Sequence, residues 1–62
     1  MLNFVEGDKV QITVLQKDVF HRFEDFKDVI IDISETMIVL KKSRQPVKVE
    51  WVEKGCVKIE KV

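Results

Sequence analysis

The sequence contains no alanine and no tyrosine, and it has one cysteine, one histidine, one proline and two glycines among 62 residues. A single cysteine, Cys56, excludes an internal disulfide, and one histidine is too few for the usual zinc or iron–sulfur ligand sets. No apolar run reaches the length of a membrane span, and the segment after Met1 lacks the regions of a signal peptide. We therefore expect a soluble cytoplasmic protein in a reducing setting, with no metal, cofactor or membrane contact.

Residues that favour strands dominate the composition. Eleven Val, six Ile and two Thr are β-branched, against three Leu and none of the best helix former, Ala. The 11 Lys or Arg balance 11 Asp or Glu, and the chain has too little net charge and too many β-branched residues to be disordered. A domain of this length has a small core, worth roughly 3–5 kcal/mol of stability. We expect residues 1–62 to form a single all-β domain.

Alternation of apolar and polar side chains predicts five strands. Their approximate bounds are 9–17, 29–33, 37–42, 47–52 and 56–61. Polar or glycine-containing turns separate the last four, which predicts an antiparallel meander that includes a hairpin of the second and third strands. Gly55 lies in the last of these turns, where glycine accepts a positive φ.

The same alternation predicts which side chains face the core. In the first strand we expect Val10, Ile12 and Val14 to lie on one buried face. In the second strand Ile31 shares a face with Val29 and Ile33, and Ile30 lies on the other. In the fourth strand Trp51 follows Val47 and Val49, which predicts that it faces inward.

The segment between the first two strands follows a different period. Val19, Phe20, Phe23 and Phe26 recur at three- and four-residue spacing, which is typical of a helix, with Asp18 as its N-cap. We expect a helix, or a long loop with a helical turn, at about 18–27. Five short strands with this insertion after strand one predict a small SH3-like barrel. A curved sheet with the helix over one end is the alternative.

Two stretches of the sequence resemble the Sm and Hfq family of small RNA-binding barrels. Residues 33–41, Ile-Ser-Glu-Thr-Met-Ile-Val-Leu-Lys, are similar to the family's junction of the second and third strands. Residues 52–59, Val-Glu-Lys-Gly-Cys-Val-Lys-Ile, are similar to its closing motif. The resemblance implies a barrel, RNA binding, and a ring in which the fourth strand of one subunit pairs with the fifth strand of the next.

The base-contacting positions of the family depart from its pattern in this chain. Thr36 stands where the family places a stacking aromatic residue, and Ile38 where many members place an asparagine. Lys54 and Gly55 match the family's pair of a basic residue and glycine, and the Tyr-Lys-His run of Hfq has no counterpart. The resemblance therefore implies the fold more strongly than uridine binding.

The charges are unevenly distributed along the neutral chain. Residues 1–32 carry four Lys or Arg against seven Asp or Glu, and residues 33–62 carry seven against four. The net charges of the halves are thus −3 and +3, which suits self-association or docking to a charged protein partner. Basic residues concentrate near the turn after the third strand, where they predict a phosphate contact with RNA or DNA. The candidate contacts are Lys41, Lys42, Arg44, Lys48 and Lys54.

Large apolar side chains supply the candidates for a protein interface. These are Trp51, Val49, Phe20 and Phe23. Aromatic residues are enriched at interfaces, although the phenylalanines also suit the core of so short a chain. The leading interpretation is a non-enzymatic module for protein interaction or assembly, as a homo-oligomer or with a protein partner. An RNA- or DNA-binding Sm-like barrel is the alternative, and a small structural subunit of a larger particle, such as a virus component, is another.

Catalytic chemistry has little support in the sequence. His21 lies near Asp18, Glu24 and Asp25, and Cys56 is a formal nucleophile. No glycine-rich phosphate loop, metal set or nucleophile elbow accompanies them, and so small a core offers no deep pocket. We predict that the protein is not an enzyme, has no catalytic or metal-binding residues and acts on no small-molecule substrate.

Overall fold

A computed structural model shows an antiparallel sheet of five strands with one short helix in the part of the chain described, residues 3–16, 20 and 24–62. The elements in chain order are β1 (Lys9–Val14), β2 (Phe26–Ile33), β3 (Met37–Leu40), β4 (Val47–Lys48), α1 (Val49–Glu53) and β5 (Val57–Lys61). In space the strands lie in the order β4-β3-β2-β1-β5. The β-rich class expected from the composition is confirmed.

Alternate residues of the strands build one apolar core. In β1 the buried side chains are Val10, Ile12 and Val14, as the alternation predicts. Phe4 and Trp51 pack against this core while remaining partly exposed. Among the described residues, the buried apolar side chains are Val10, Ile12, Val14, Phe20, Phe26, Ile30, Ile38, Leu40, Val47, Cys56, Val57 and Ile59.

β2 changes partner along its length, and a β-bulge marks the change. Its first half pairs with β1 and its second half with β3, and the register with β3 shifts between Ile30 and Asp32. Before the bulge the buried face carries Ile30, which is 1% exposed, whereas Ile31 is 49% exposed. After the bulge Ile33 packs against the core. The prediction that Ile31 shares a face with Ile33 is therefore wrong, because the extra residue of the bulge shifts the phase between them.

The predicted hairpin of the second and third strands is confirmed. The turn between β2 and β3 is closed by Ser34, whose backbone N–H donates to the carbonyl oxygen of Met37 at 2.9 Å. The Ser34 hydroxyl oxygen also accepts the N–H of Met37 at 3.1 Å. Serine stabilises tight turns in this way by bonding to nearby backbone groups.

The strand predicted at 47–52 is wrong beyond Lys48. β4 ends at that residue, and α1 begins at Val49. Trp51 therefore lies on a helix and not in a strand, although Val49 and Trp51 still pack against the core. Apolar residues at such short spacing suit one helical turn as well as a strand, so the pattern alone does not separate the two.

α1 ends in a Schellman motif. The N–H of Cys56 donates to the carbonyl oxygen of Trp51 at 2.8 Å, and the N–H of Gly55 donates to that of Val52 at 3.2 Å. Gly55 has a φ of +81°. The positive φ expected at Gly55 is confirmed, but the turn closes a helix and not a hairpin.

Replacing Gly55 by alanine is expected to lower the free energy of unfolding by about 1 kcal/mol. Beyond Gly55 and its two chain neighbours, no heavy atom of the described residues lies within 4 Å of the Cβ that alanine adds, so the cost comes from the left-handed backbone. Urea denaturation measures the change. Lys54→Ala is the control, because Lys54 has an ordinary helical φ of −83°. Equal stability of the two variants would contradict the Schellman cap.

β5 pairs with β1 and not with β4. Its register places Glu60 opposite Gln11 and Ile59 opposite Ile12. The predicted four-stranded meander is therefore wrong in its last step: β2, β3 and β4 form a meander, and β5 lies at the far side of β1. α1 lies in the connection between β4 and β5. Strand patterns in a sequence do not specify which strands become neighbours.

Half of the helix or loop expected at 18–27 lies outside the described residues. Phe26 and Lys27 belong to β2, so the prediction is wrong for these two. Phe20 is described, and its side chain is 3% exposed.

Candidate functional site

Phe20, Phe26 on β2 and Trp51 on α1 form an aromatic cluster. The ring centroids of Phe20 and Phe26 are 5.9 Å apart with planes 14° from parallel. Phe20 meets Trp51 edge to face, also at 5.9 Å, with an angle of 87°. Both arrangements are favourable for aromatic pairs. The structure thus joins Phe20 and Trp51, two of the residues predicted for a protein interface.

The other predicted interface residues have different positions. Val49 is half-buried at the first position of α1, and Phe23 lies outside the described residues. Trp51 is half-buried, and the Nζ atom of Lys48 lies 5.6 Å from the centre of its ring. This cation–π contact covers part of the Trp51 ring. The interface assignment of the four residues stays a prediction.

A buried carboxylate fixes the basic loop between β3 and β4, residues 41–46. Asp28 on β2 is 5% exposed, and its oxygens accept the backbone N–H groups of Lys42 and Ser43, each at 3.0 Å. Charge-assisted hydrogen bonds of this kind offset the cost of burying a carboxylate. This role of Asp28 was not predicted from the sequence, in which it is one of seven acidic residues of the first half. One feature of the sequence could have indicated that Asp28 is buried: it lies two residues after Phe26 and two before Ile30, so all three share one face of the strand.

Three of the five predicted phosphate contacts share this basic loop. Lys41, Lys42 and Arg44 are exposed, and none of them forms an ion pair with a described residue. Lys48 and Lys54 lie instead at the two ends of α1, and the Nζ atom of Lys54 is 3.9 Å from a carboxylate oxygen of Glu50. The loop therefore presents three cations that have no ion-pair partner among the described residues, on a backbone that Asp28 holds in place.

The acidic and basic halves of the sequence are mixed in the sheet. β1 and most of β2 come from the acidic half and occupy the centre, while β3 and β4 lie on one side and β5 on the other. The halves therefore do not form two separate blocks of the described fold.

A groove of about 410 Å³ lies between the β2–β3 turn and α1. Its lining includes Met37, which is 38% exposed, and the half-buried Val49. Glu35, Glu50 and Glu53 also contribute to it. The groove could not be predicted from the strand pattern, because it depends on α1, which replaces a predicted strand.

β5 is an edge strand with one open side. At its ends, the N–H of Leu15 donates to the carbonyl oxygen of Cys56 at 2.9 Å, and the N–H of Val62 donates to that of Lys9 at 3.0 Å. Bonded pairs alternate along an antiparallel ladder, so the even-numbered residues of β5 bond to β1. The odd-numbered residues, Val57, Ile59 and Lys61, direct their N–H and C=O groups to the open side. No described strand pairs with that side.

The opposite edge of the sheet is short. β4 has two residues, Val47 and Lys48, and it lies between Pro46, which has no N–H, and α1. Short edge strands and flanking prolines are common devices that prevent strand addition. The open edge of β5 is therefore the longer of the two surfaces available for pairing with another chain.

The residues considered for catalysis do not converge in the part of the chain described. His21 and Asp18 lie outside it, and Glu24 and Asp25 are exposed. Cys56 is buried, and its thiol lies 3.2 Å from Oε1 of Gln16. Within residues 3–16, 20 and 24–62, no group of three or more His, Cys, Asp or Glu side chains is placed to hold a metal ion.

Comparisons with known protein families, curated proteins and solved structures gave no match. Among the described residues, the only helix is far too short to cross a membrane.

Proposed function

We propose that the chain is a non-enzymatic assembly module that self-associates, or docks to a protein partner, through the open edge of β5. The observation that supports this function most strongly is the row of backbone groups at Val57, Ile59 and Lys61, with which no described strand pairs. An exposed strand edge is a template for a strand from another chain, since main-chain hydrogen bonds supply affinity. Because β4 is short, strand addition is directed to one side of the sheet.

The barrel expected from the sequence is part of the same proposal. β2 pairs with β1 in its first half and with β3 in its second, and the bulge near Ile31 lies at the change of partner. Bulges bend a strand and increase its twist, which curls a sheet around its core. A single core shared by all five strands supports an SH3-like barrel, the class that the resemblance to the Sm and Hfq family also implies.

The solution mass as a function of protein concentration tests the assembly function. We expect light scattering on a sizing column to show a mass that rises above the 7.3 kDa of one chain as concentration increases. Moderate salt should leave the association largely intact, because backbone hydrogen bonds are not screened like exposed charges. A constant mass of 7.3 kDa at every concentration would contradict self-association.

Nucleic-acid binding by the basic loop is the second candidate function. The specific observation in its favour is that Lys41, Lys42 and Arg44 have no ion-pair partner among the described residues, while Asp28 fixes the backbone that carries them. Phosphate groups of RNA or DNA are the natural partners of such a loop, without base specificity.

The triple variant Lys41→Gln, Lys42→Gln, Arg44→Gln tests this second function. We expect an unchanged fold and weaker binding to a single-stranded RNA in a fluorescence anisotropy titration. The slope of log affinity against log salt should fall by about 2, since each phosphate contact contributes roughly 0.7. The control replaces Lys9, Lys27 and Lys61 by Gln and removes the same charge from strands. Equal loss of binding in both variants would assign it to net charge and not to the loop.

A further inference from the structure

The open edge of β5 is complementary to itself, and this inference rests on the assembly function proposed above. When the open edges of two copies pair antiparallel, a residue whose N–H and C=O point to the open side must lie opposite a residue of the same kind in the other copy. The open side offers the odd-numbered residues Val57, Ile59 and Lys61. Ile59 of one copy must therefore lie opposite Ile59, Val57 or Lys61 of the other. Each choice defines one register, so three registers keep Ile59 paired.

The charged side chains select one of these registers. With Ile59 opposite its own copy, Lys58 lies opposite Glu60 of the second chain, and Glu60 lies opposite Lys58. These are non-hydrogen-bonded positions, at which Cα atoms are about 4.5 Å apart and side chains are close. A shift of two residues in either direction places Lys58 opposite Lys58, or Glu60 opposite Glu60. Opposite charges at facing positions stabilise a ladder, and like charges destabilise it.

We propose that two copies of this chain form a symmetric dimer by antiparallel pairing of β5 with β5, about a two-fold axis at Ile59. The pairs are Val57 with Lys61, Ile59 with Ile59 and Lys61 with Val57, which together give about six backbone hydrogen bonds. The same surface serves both subunits, as a closed two-fold interface requires. The two sheets become one continuous sheet.

The charged groups of β5 are accessible for these contacts. The side chains of Lys58 and Glu60 are 59% and 58% exposed, and their Nζ and Oε1 atoms are 3.5 Å apart within one chain. In the dimer the two pairs meet and form a cluster of four alternating charges. A β5-to-β4 contact between copies lacks this complementarity and has a strand of two residues on one side.

Charge reversal on β5 tests the dimer and its register. We expect Lys58→Glu and Glu60→Lys each to raise the dimer Kd about tenfold or more in sedimentation equilibrium, because each change turns two attractive pairs into repulsive ones. The double variant Lys58→Glu, Glu60→Lys should regain the wild-type Kd. An equimolar mixture of the two single variants should form a heterodimer, since every facing pair is again of opposite sign.

The control is Lys27→Glu, which makes the same charge change at an exposed position of β2, a strand paired on both sides. We expect its dimer Kd to equal that of the wild type. Circular dichroism and urea denaturation of each variant verify that the fold is retained. A wild-type dimer that neither single variant weakens, or that the double variant does not restore, would overturn the β5 register but leave assembly in place. A wild-type chain that stays monomeric would overturn both.

Discussion

Replacing Phe20 by alanine is expected to unfold the protein or leave it at the margin of stability. Phe20 is 3% exposed and contacts both Phe26 and Trp51. Removing a buried phenylalanine side chain costs about 3–5 kcal/mol. This loss equals the whole free energy of unfolding expected for the domain, since a core of this size supplies about 3–5 kcal/mol. Circular dichroism and urea denaturation measure the loss.

The matched control for this prediction is Phe20→Leu. Leucine keeps most of the apolar volume but loses the aromatic contacts, so we expect a folded protein that is less stable by about 1–2 kcal/mol. A stable Phe20→Ala variant would contradict the core role of Phe20. It would favour the interface role that the sequence analysis also allowed for this residue.

Replacing Asp28 by alanine is expected to lower the free energy of unfolding by about 2–4 kcal/mol. The backbone N–H groups of Lys42 and Ser43 lose their acceptor, and the β3–β4 loop loses its anchor on β2. Asp28→Asn keeps one carbonyl oxygen as an acceptor and should lower the free energy of unfolding by an intermediate amount. Urea denaturation gives the free energies, and amide exchange should report lost protection at Lys42 and Ser43.

Asp32→Ala provides the control for the Asp28 prediction. Asp32 lies on the same strand, and its Oδ1 accepts the N–H of Ile33 at 2.9 Å, but the residue is exposed. Exposed substitutions of this kind change stability by roughly 0.5 kcal/mol or less. Similar losses in the two variants would show that the buried carboxylate does not hold the loop.

The strand content could be predicted well because burial on one face imposes a period of two. β1 and the β2–β3 hairpin follow their patterns, and Val10, Ile12 and Val14 are buried as expected. The failures have physical causes. A bulge shifts the phase of β2, so Ile31 and Ile33 lie on different faces. One helical turn packs Val49 and Trp51 against the core as well as a strand does.

The candidate site was only partly readable from the sequence. The basic loop follows from a run of cations without acids between Thr36 and Val49. The hydrogen bonds from the loop to Asp28 could not be predicted, because the residue type alone does not distinguish a buried aspartate from an exposed one. The self-complementary edge of β5 needs the order of the strands and the alternation of bonded pairs, which depend on partners distant in the chain.

Amide exchange in a dilution series shows whether the open edge of β5 is the assembly surface. The amides of Lys58 and Glu60 bond to β1 and should be protected at every protein concentration. Those of Val57, Ile59 and Lys61 should exchange rapidly in dilute protein and gain protection as concentration rises. Rapid exchange of these three amides at all concentrations, in a protein whose mass shows that it associates, would show that the assembly surface lies elsewhere.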